Sequence, residues 1–209
     1  MSALKLFGIA AVESTSVDSI AEGTTLIHYR GLGAIVQPAF YAATAAADVE
    51  AEAESHAAIL EEAFRHGALL PAPPGTIFKS HGTLSHWLEL HYFTLTDALS
   101  LVEGHVMARV SITAGRSTKD NGATKSLQAL GAESLRLLRG HSTATVVLPL
   151  GKDETTEGMV VSASFLVDKE RWEAFQETVS QEKRRHPALD VRLTGPWPPY
   201  DFVRMQFGG

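Results

Sequence analysis

The chain of 209 residues contains no cysteine. That removes disulfides, thiolate nucleophiles and thiolate metal ligands together, and is compatible with a reducing compartment. Long apolar runs are also missing. The stretch that follows Met1-Ser2-Ala3-Leu4-Lys5 is about eight residues, too short to span a bilayer and without a signal-peptide cleavage pattern, so it is expected to be a first strand. Basic charge is in deficit: 18 Lys and Arg stand against 24 Asp and Glu, a formal net charge of -6. A phosphate-backbone binder needs a clustered cationic surface, and the one basic run, Lys183-Arg184-Arg185, closes a helical pattern where it suits the carbonyl end of the helix dipole. No Gly-x-Ser-x-Gly elbow is present, and "GLGAIV" and "GAESLRLLRG" match neither a dinucleotide nor a P-loop fingerprint. No nucleic acid, membrane insertion or phosphate chemistry is expected.

What is present is ordinary globular composition, with 44% hydrophobic and 20% charged residues, enough for one large domain or two smaller ones. Leu4 to Val12 reads as a buried strand, and "TTLIHYRGLGAIVQPA" as two more, broken at Gly31 and Gly33. From Asp48 to His66 the period becomes helical, with Val49, Ala53, Ala57, Leu60 and Phe64 on one stripe and glutamates off it. "LLPAPPGTIF" interrupts, since Pro71, Pro73 and Pro74 lack amide donors. One further helix is expected from Leu84, Leu88, His91, Leu95, Ala98 and Val102, stopping at Gly104.

Beyond Gly104 the pattern is cleaner. His105 to Thr113 alternates, Leu127 to Leu137 marks a helix, and "TATVVLPL" and "MVVSASFLVD" read as strands. Asp168 then sits where an N-cap would, and Trp172, Phe175 and Val179 stripe a last helix before "LDVRLT". The order β-α-β-β-α-β is that of a split βαβ unit of ferredoxin-like type, an antiparallel sheet with helices on one face. The expected class is therefore α+β in two domains: residues 1–104, and a ferredoxin-like domain at 105–209 that carries a terminal strap.

Candidate chemistry is sparse. Among nine histidines the densest set, His81, His86 and His91, advances five residues at a time. That is about 140° beyond a full helical turn, so the imidazoles do not share a face and lack the i, i+4 ligand spacing of a zinc motif. No metal or cofactor site is expected. The surviving enzymatic alternative is a small ferredoxin-like cofactor-binding enzyme, with His105, Arg109 and His141 as candidates, and it rests on fold analogy alone. The polar strand face bearing Arg109, Ser111, Ser162, Ser164, Asp190, Arg192 and Thr194, opposite the helix-covered face, is a candidate docking surface for a partner. Strand addition at a sheet edge is another.

The segment "LTGPWPPYDFV" allows two readings. Pro196-Trp197-Pro198-Pro199 has the P-x-x-P spacing of a polyproline ligand and hence of an adaptor. Alternatively Gly195 and Pro196 turn the chain so that Trp197, Tyr200 and Phe202 pack back as a strap; Trp197→Ala would then cost on the order of 3 to 5 kcal/mol. The same segment resembles the C-terminal signature of the GvpF/GvpL gas vesicle protein family. "LFGI", "GLGAIVQP", His56 with Ile59-Leu60, "LLPAPPGTIF" and "ASFLVDKERWEAFQETV" resemble other family segments in order. Pro73-Pro74 stand where the family commonly carries Arg-Phe. The resemblance implies a non-enzymatic, cytoplasmic accessory protein associated with the gas vesicle. Its implied partner is the small hydrophobic shell protein, bound during nucleation or growth, with other vesicle accessory proteins as possible further partners. Gly195, Pro196, Trp197, Pro198, Pro199, Tyr200 and Phe202 would be its structural signature.

Overall fold

The computed structural model describes residues 3–12, 19–39, 46–115, 121–150 and 158–203, without the side chains of 46–49 and 121–126. Residues 116–120, between the alternating strand His105 to Thr113 and the helix expected from Leu127, residues 151–157, between "TATVVLPL" and "MVVSASFLVD", and the side chain of Val49 lie outside that description. The fold is α+β. Its two compact units are Met1–Gly104 joined by the segment from Pro198 onward, and His105–Trp197. The terminal segment therefore belongs to the first unit, whereas the 105–209 boundary had placed it in the second.

In the first unit the strands β1 (Leu4–Ala11), β2 (Thr25–Tyr29), β3 (Leu32–Pro38), β4 (Leu69–Pro71) and β5 (Ile77–Phe78) form one sheet, ordered β2-β3-β1-β4, with β5 also on β1. β4 lies along Gly8 to Ala10 and β5 along Leu4 and Lys5, so together they act as one edge strand whose middle bulges out. Prolines explain the bulge: Pro71 is tolerated at the edge, and Pro73 and Pro74 cannot donate to a ladder. A register shift between Leu6 and Gly8 puts Leu6 and Ile9 in one core cluster and Phe7 and Ala10 in the other. β1 is thus buried on both faces.

Helix α1 (Ala46–Arg65) covers the Phe7 face. Its inward side chains are His56, Ile59, Leu60 and Ala63, all buried, while Ala53 is exposed. The stripe is rotated from the expected one because the bulkier Ile59 and His56 outweigh the alanines in apolar area. The single helix expected on the Leu6 face is two, α2 (His81–Leu90) and α3 (Tyr92–Val102). They meet at His91, whose φ of -101° and ψ of 9° turn the axis without any proline or glycine. Leu84, Leu88, Leu95 and Val102 keep the expected inward stripe.

The second unit contains β6 (His105–Ala114), α4 (Asn121–Arg139), β7 (Ala144–Val147), β8 (Met159–Asp168), α5 (Trp172–Arg185) and β9 (Leu189–Trp197). The sheet is antiparallel throughout, in the order β7-β8-β6-β9, the order of a split βαβ unit. Asp168 Oδ1 accepts the Glu170 amide hydrogen at 2.8 Å and starts the turn into α5. The α5 stripe runs Phe175, Val179 and then Glu182, a buried carboxylate. Glu182 accepts a hydrogen bond from the Ser134 hydroxyl of α4 at 2.7 Å, with Arg185 Nη1 at 3.6 Å. This couples the two helices at a fully buried serine. Removing the donor leaves the carboxylate under-satisfied, so Ser134→Ala should cost about 1–3 kcal/mol, read from urea unfolding; an unchanged midpoint would show that the bond contributes nothing.

Candidate interaction surfaces

The terminal signature divides at the unit boundary. Gly195 stands at a φ of 125°, and a Cβ there would lie 2.7 Å from the Met107 carbonyl oxygen and 3.2 Å from the Trp172 ring, so only glycine fits. Trp197 ends β9 and stays 37% exposed, so it is not the buried anchor expected of a strap. That role falls to the residues after it. Pro198 and Pro199 are buried, Tyr200 packs against the Phe7-side core and Val203 against the Leu6-side core. Phe202 is half-buried in the short 3₁₀ turn Tyr200–Phe202. Burial, followed by the nearby Glu61 charge, pushes the Tyr200 hydroxyl up to about 12. A polyproline ligand is excluded for this conformation: Pro199 is inaccessible, and its ψ of 52° is far from the extended value such a helix needs.

The polar sheet face is only partly a surface. Arg109 pairs in register with Ser164 and Thr194, and Ser111 with Ser162 and Arg192, so these side chains share a face as alternation predicts. Asp190 and Arg192 are exposed, whereas Ser162 and Ser164 are buried, Ser164 completely. Arg109 Nε reaches the Ser164 hydroxyl at 3.5 Å. The two serines are therefore interior spacers and not contact residues. Of the enzymatic candidates, His105 Nε2 meets Thr143 Oγ1 at 2.9 Å, and the exposed His141 sits in the turn after α4. The three histidines of the dense set have separate surroundings. His81 Nδ1 lies 3.3 Å from the Ser85 hydroxyl, His86 3.8 Å from Glu89, and the His91 ring centroid 4.8 Å from Trp87.

Three features of the first unit were not read from the sequence. A cavity of about 670 Å³ has Glu22, Glu62, His66 and Glu103 among its lining residues; Val12 and Ser19, which bound the undescribed residues 13–18, also line it. A smaller one of about 300 Å³ lies among Ala53, His56, Ala57, Pro71, Pro73 and Tyr200. His56, buried on α1, donates from Nε2 to the Ala72 carbonyl oxygen at 2.9 Å and lies 5.0 Å from the Phe7 ring. Its Nδ1 has no partner among the described residues. Because the carbonyl can only accept, Nε2 carries a proton, and the buried, unpartnered Nδ1 suits the neutral tautomer. Burial holds its pKa below the ordinary value, against the Ala72 bond, which favours protonation. The adjacent Lys5–Glu52 pair, at 2.7 Å, lowers the Glu52 pKa through the hydrogen bond from Lys5.

The third feature is the β2–β3 turn. Arg30 there has a φ of 54°, which a non-glycine residue adopts only at a cost. Its guanidinium lies 5.5 Å from the centroid of Tyr29 and 4.9 Å from that of Tyr92, and such contacts offset part of the strain. Tyr92 touches Tyr29 and Phe93 in edge-on contacts at 5.9 and 5.5 Å. Phe93 is 77% and Leu90 67% exposed. The signal available in the sequence was that Leu90 and Phe93 fall off the inward stripe of their helices, leaving two bulky apolar residues with nothing to bury them.

Comparison with known proteins is consistent along the whole chain. The family model described as gas vesicle synthesis protein GvpL/GvpF matches residues 6–134 and 117–204. The chain is similar to gas vesicle protein F2 of Halobacterium salinarum, 29% identical over 92% of this chain and 87% of that one. It is also similar to protein F1 of the same organism, 27% identical over 98% and 94%. Its fold is similar to the crystal structure of gas vesicle protein GvpF from Anabaena sp., with a TM-score of 0.76 at 18% identity over 99% and 98% of the two chains. The GvpF structure from Microcystis aeruginosa gives 0.72 at 14% identity over 98% and 100%. Among the described residues no helix is long and apolar enough to cross a membrane.

Two outcomes test these assignments. Gly195→Ala should lower stability by about 1–3 kcal/mol, more than Trp197→Ala, whose partly exposed ring contributes about 1 kcal/mol; the reverse ranking in denaturant melts would contradict the placement of Trp197. For His56, the folded pKa lies below an unfolded value near 6.5, so the unfolded chain binds the proton first. Stability is then full above about pH 6.5 and falls as pH drops toward the folded pKa, by at most about 1.4 kcal/mol per pH unit. Subtracting the profile of His56→Gln from that of the wild type isolates this slope, and a flat difference would rule His56 out as its source.

Proposed function

The chain belongs to the GvpL/GvpF family of gas vesicle synthesis proteins, and on that premise we propose that its part in gas vesicle assembly is to bind the small hydrophobic shell subunit and assist its nucleation into the growing vesicle. The carrying observation is the family match, which runs through both units from residue 6 to residue 204. The role is non-enzymatic, exercised in the cytoplasm and at the vesicle. In its favour, the chain presents bulky apolar side chains at an exposed helix bend, the kind of feature that a binding protein uses.

Co-expression of the tagged chain with the shell protein tests this reading. The shell subunit should be recovered with the chain, and a host lacking the gene should form no buoyant, light-scattering vesicles. Intact vesicles in the deletion strain, together with no recovery of any vesicle protein, would refute it.

A further inference from the structure

We infer that the β2–β3 turn and the α2–α3 bend form one docking face for a helical segment that presents a carboxylate beside bulky aliphatic side chains. The inference rests on the reading above in taking that segment from the shell subunit. Arg30, Tyr29, Tyr92 and Phe93 are joined in sequence by ring and cation–ring contacts of 4.9 to 5.9 Å, so the face is continuous from the turn to the first residues of α3. Its composition is that of interface anchors: aromatic residues and arginine dominate the binding energy of protein contacts, and rigid ones lose least entropy on binding.

The choice of occupant follows from charge and shape. Arg30 makes no ion pair with any described residue, and the two tyrosines hold its cation at a fixed place instead of letting it sweep through water. A partner carboxylate arriving there gains a charge-assisted bond that solvent screens less than a free surface pair. Phe93, in ring contact with Tyr92, and Leu90 stand three residues apart across the His91 bend, both well exposed. They suit aliphatic residues one helical turn apart on an incoming segment. A purely apolar partner would leave Arg30 desolvated and unpaired, and a basic one would be repelled.

The test uses the full chain and a fluorescent, leucine-striped helical peptide of about 18 residues, long enough to hold a helix, bearing one central glutamate. Glutamine and lysine versions serve as controls. In anisotropy titrations the glutamate peptide should bind tightest. Phe93→Ser and Leu90→Ser should each weaken it about tenfold. Arg30→Asn, which tolerates the left-handed backbone, should abolish the preference for glutamate over glutamine. Arg30→Lys separates the contributions of charge and of planar stacking. These sites are exposed, so melting temperatures should stay unchanged; a variant that fails to fold is replaced by Phe93→Gln or Leu90→Gln. Equal binding of the three peptides, or no loss in the Phe93 and Leu90 variants, overturns the inference. So does a solution dimer that Phe93→Ser dissolves, which would assign the face to a second copy. Shell-protein recovery on the same variants separates the two readings. Recovery undiminished by Phe93→Ser with Leu90→Ser overturns this face and leaves the assembly role standing, whereas no recovery by the wild type overturns that role and with it the source of the segment.

Discussion

The first unit depends on a strand that has no free face. Leu6 and Ile9 enter one core and Phe7 and Ala10 the other, an arrangement made possible by the shift of register between Leu6 and Gly8. Each of the large side chains contributes roughly 1.5–3 kcal/mol by leaving water, but only if both sides are covered and the strand edge is paired. α1 covers one side and α2 with α3 the other. The edge beyond β1 is supplied by a segment whose prolines could not have served in the middle of a sheet. Tyr200 and Val203, about a hundred residues beyond the end of α3, close the same two cores. The second unit is therefore an insertion in the chain path of the first. Gly195 sits at the last strand before the return, where the approach to the Met107 carbonyl leaves no room for a Cβ.

The sequence was most legible where one period dominates. In β6, β8 and β9 the alternation fixes which residues share a face, and the register pairs Arg109 with Ser164 as that alternation requires. β8 runs from Met159 to Asp168, the full extent of "MVVSASFLVD", since turn residues bound it on one side and a capping aspartate on the other. Periodicity says nothing about how deep a face lies. Ser162 and Ser164 were read as surface because they are polar, yet a serine beside a long arginine side chain can be entirely enclosed while its hydroxyl is still satisfied. The α1 stripe failed for a related reason: alanines fit a helical repeat on any face, so the bulky His56 and Ile59 decide the orientation.

The break at His91 and the exposure of Trp197 were not legible for different physical reasons. The first is a two-angle change at one residue, stabilised by the packing of His91 on Trp87, and neither glycine nor proline signals it. The second is a matter of topology: a tryptophan counts as a core residue by its area alone, but Trp197 ends an edge strand, and it is the prolines and tyrosine after it that turn inward. Composition marked the segment as one that packs, and Tyr200 and Val203 do pack against the two cores. It could not apportion burial along it.

The proposed docking face answers to a constraint that a core does not face. A protein that handles a hydrophobic partner has to expose apolar area without aggregating, and large uninterrupted patches lead to self-association. Among the described residues the two most exposed large apolar side chains, Phe93 and Leu90, stand at a bend between two helices, and Phe93 is joined through ring contacts to a cation held in a strained backbone conformation. The net charge of -6 opposes self-association, while the positive charge of Arg30 favours an acidic approach to the proposed face and orients it. Burying a small apolar area gives modest affinity, and orientation comes from the charge. Under the proposed role, a chain that holds a shell subunit and releases it to a growing vesicle is better served by that division than by a deep apolar groove, whose slow dissociation would compete with assembly.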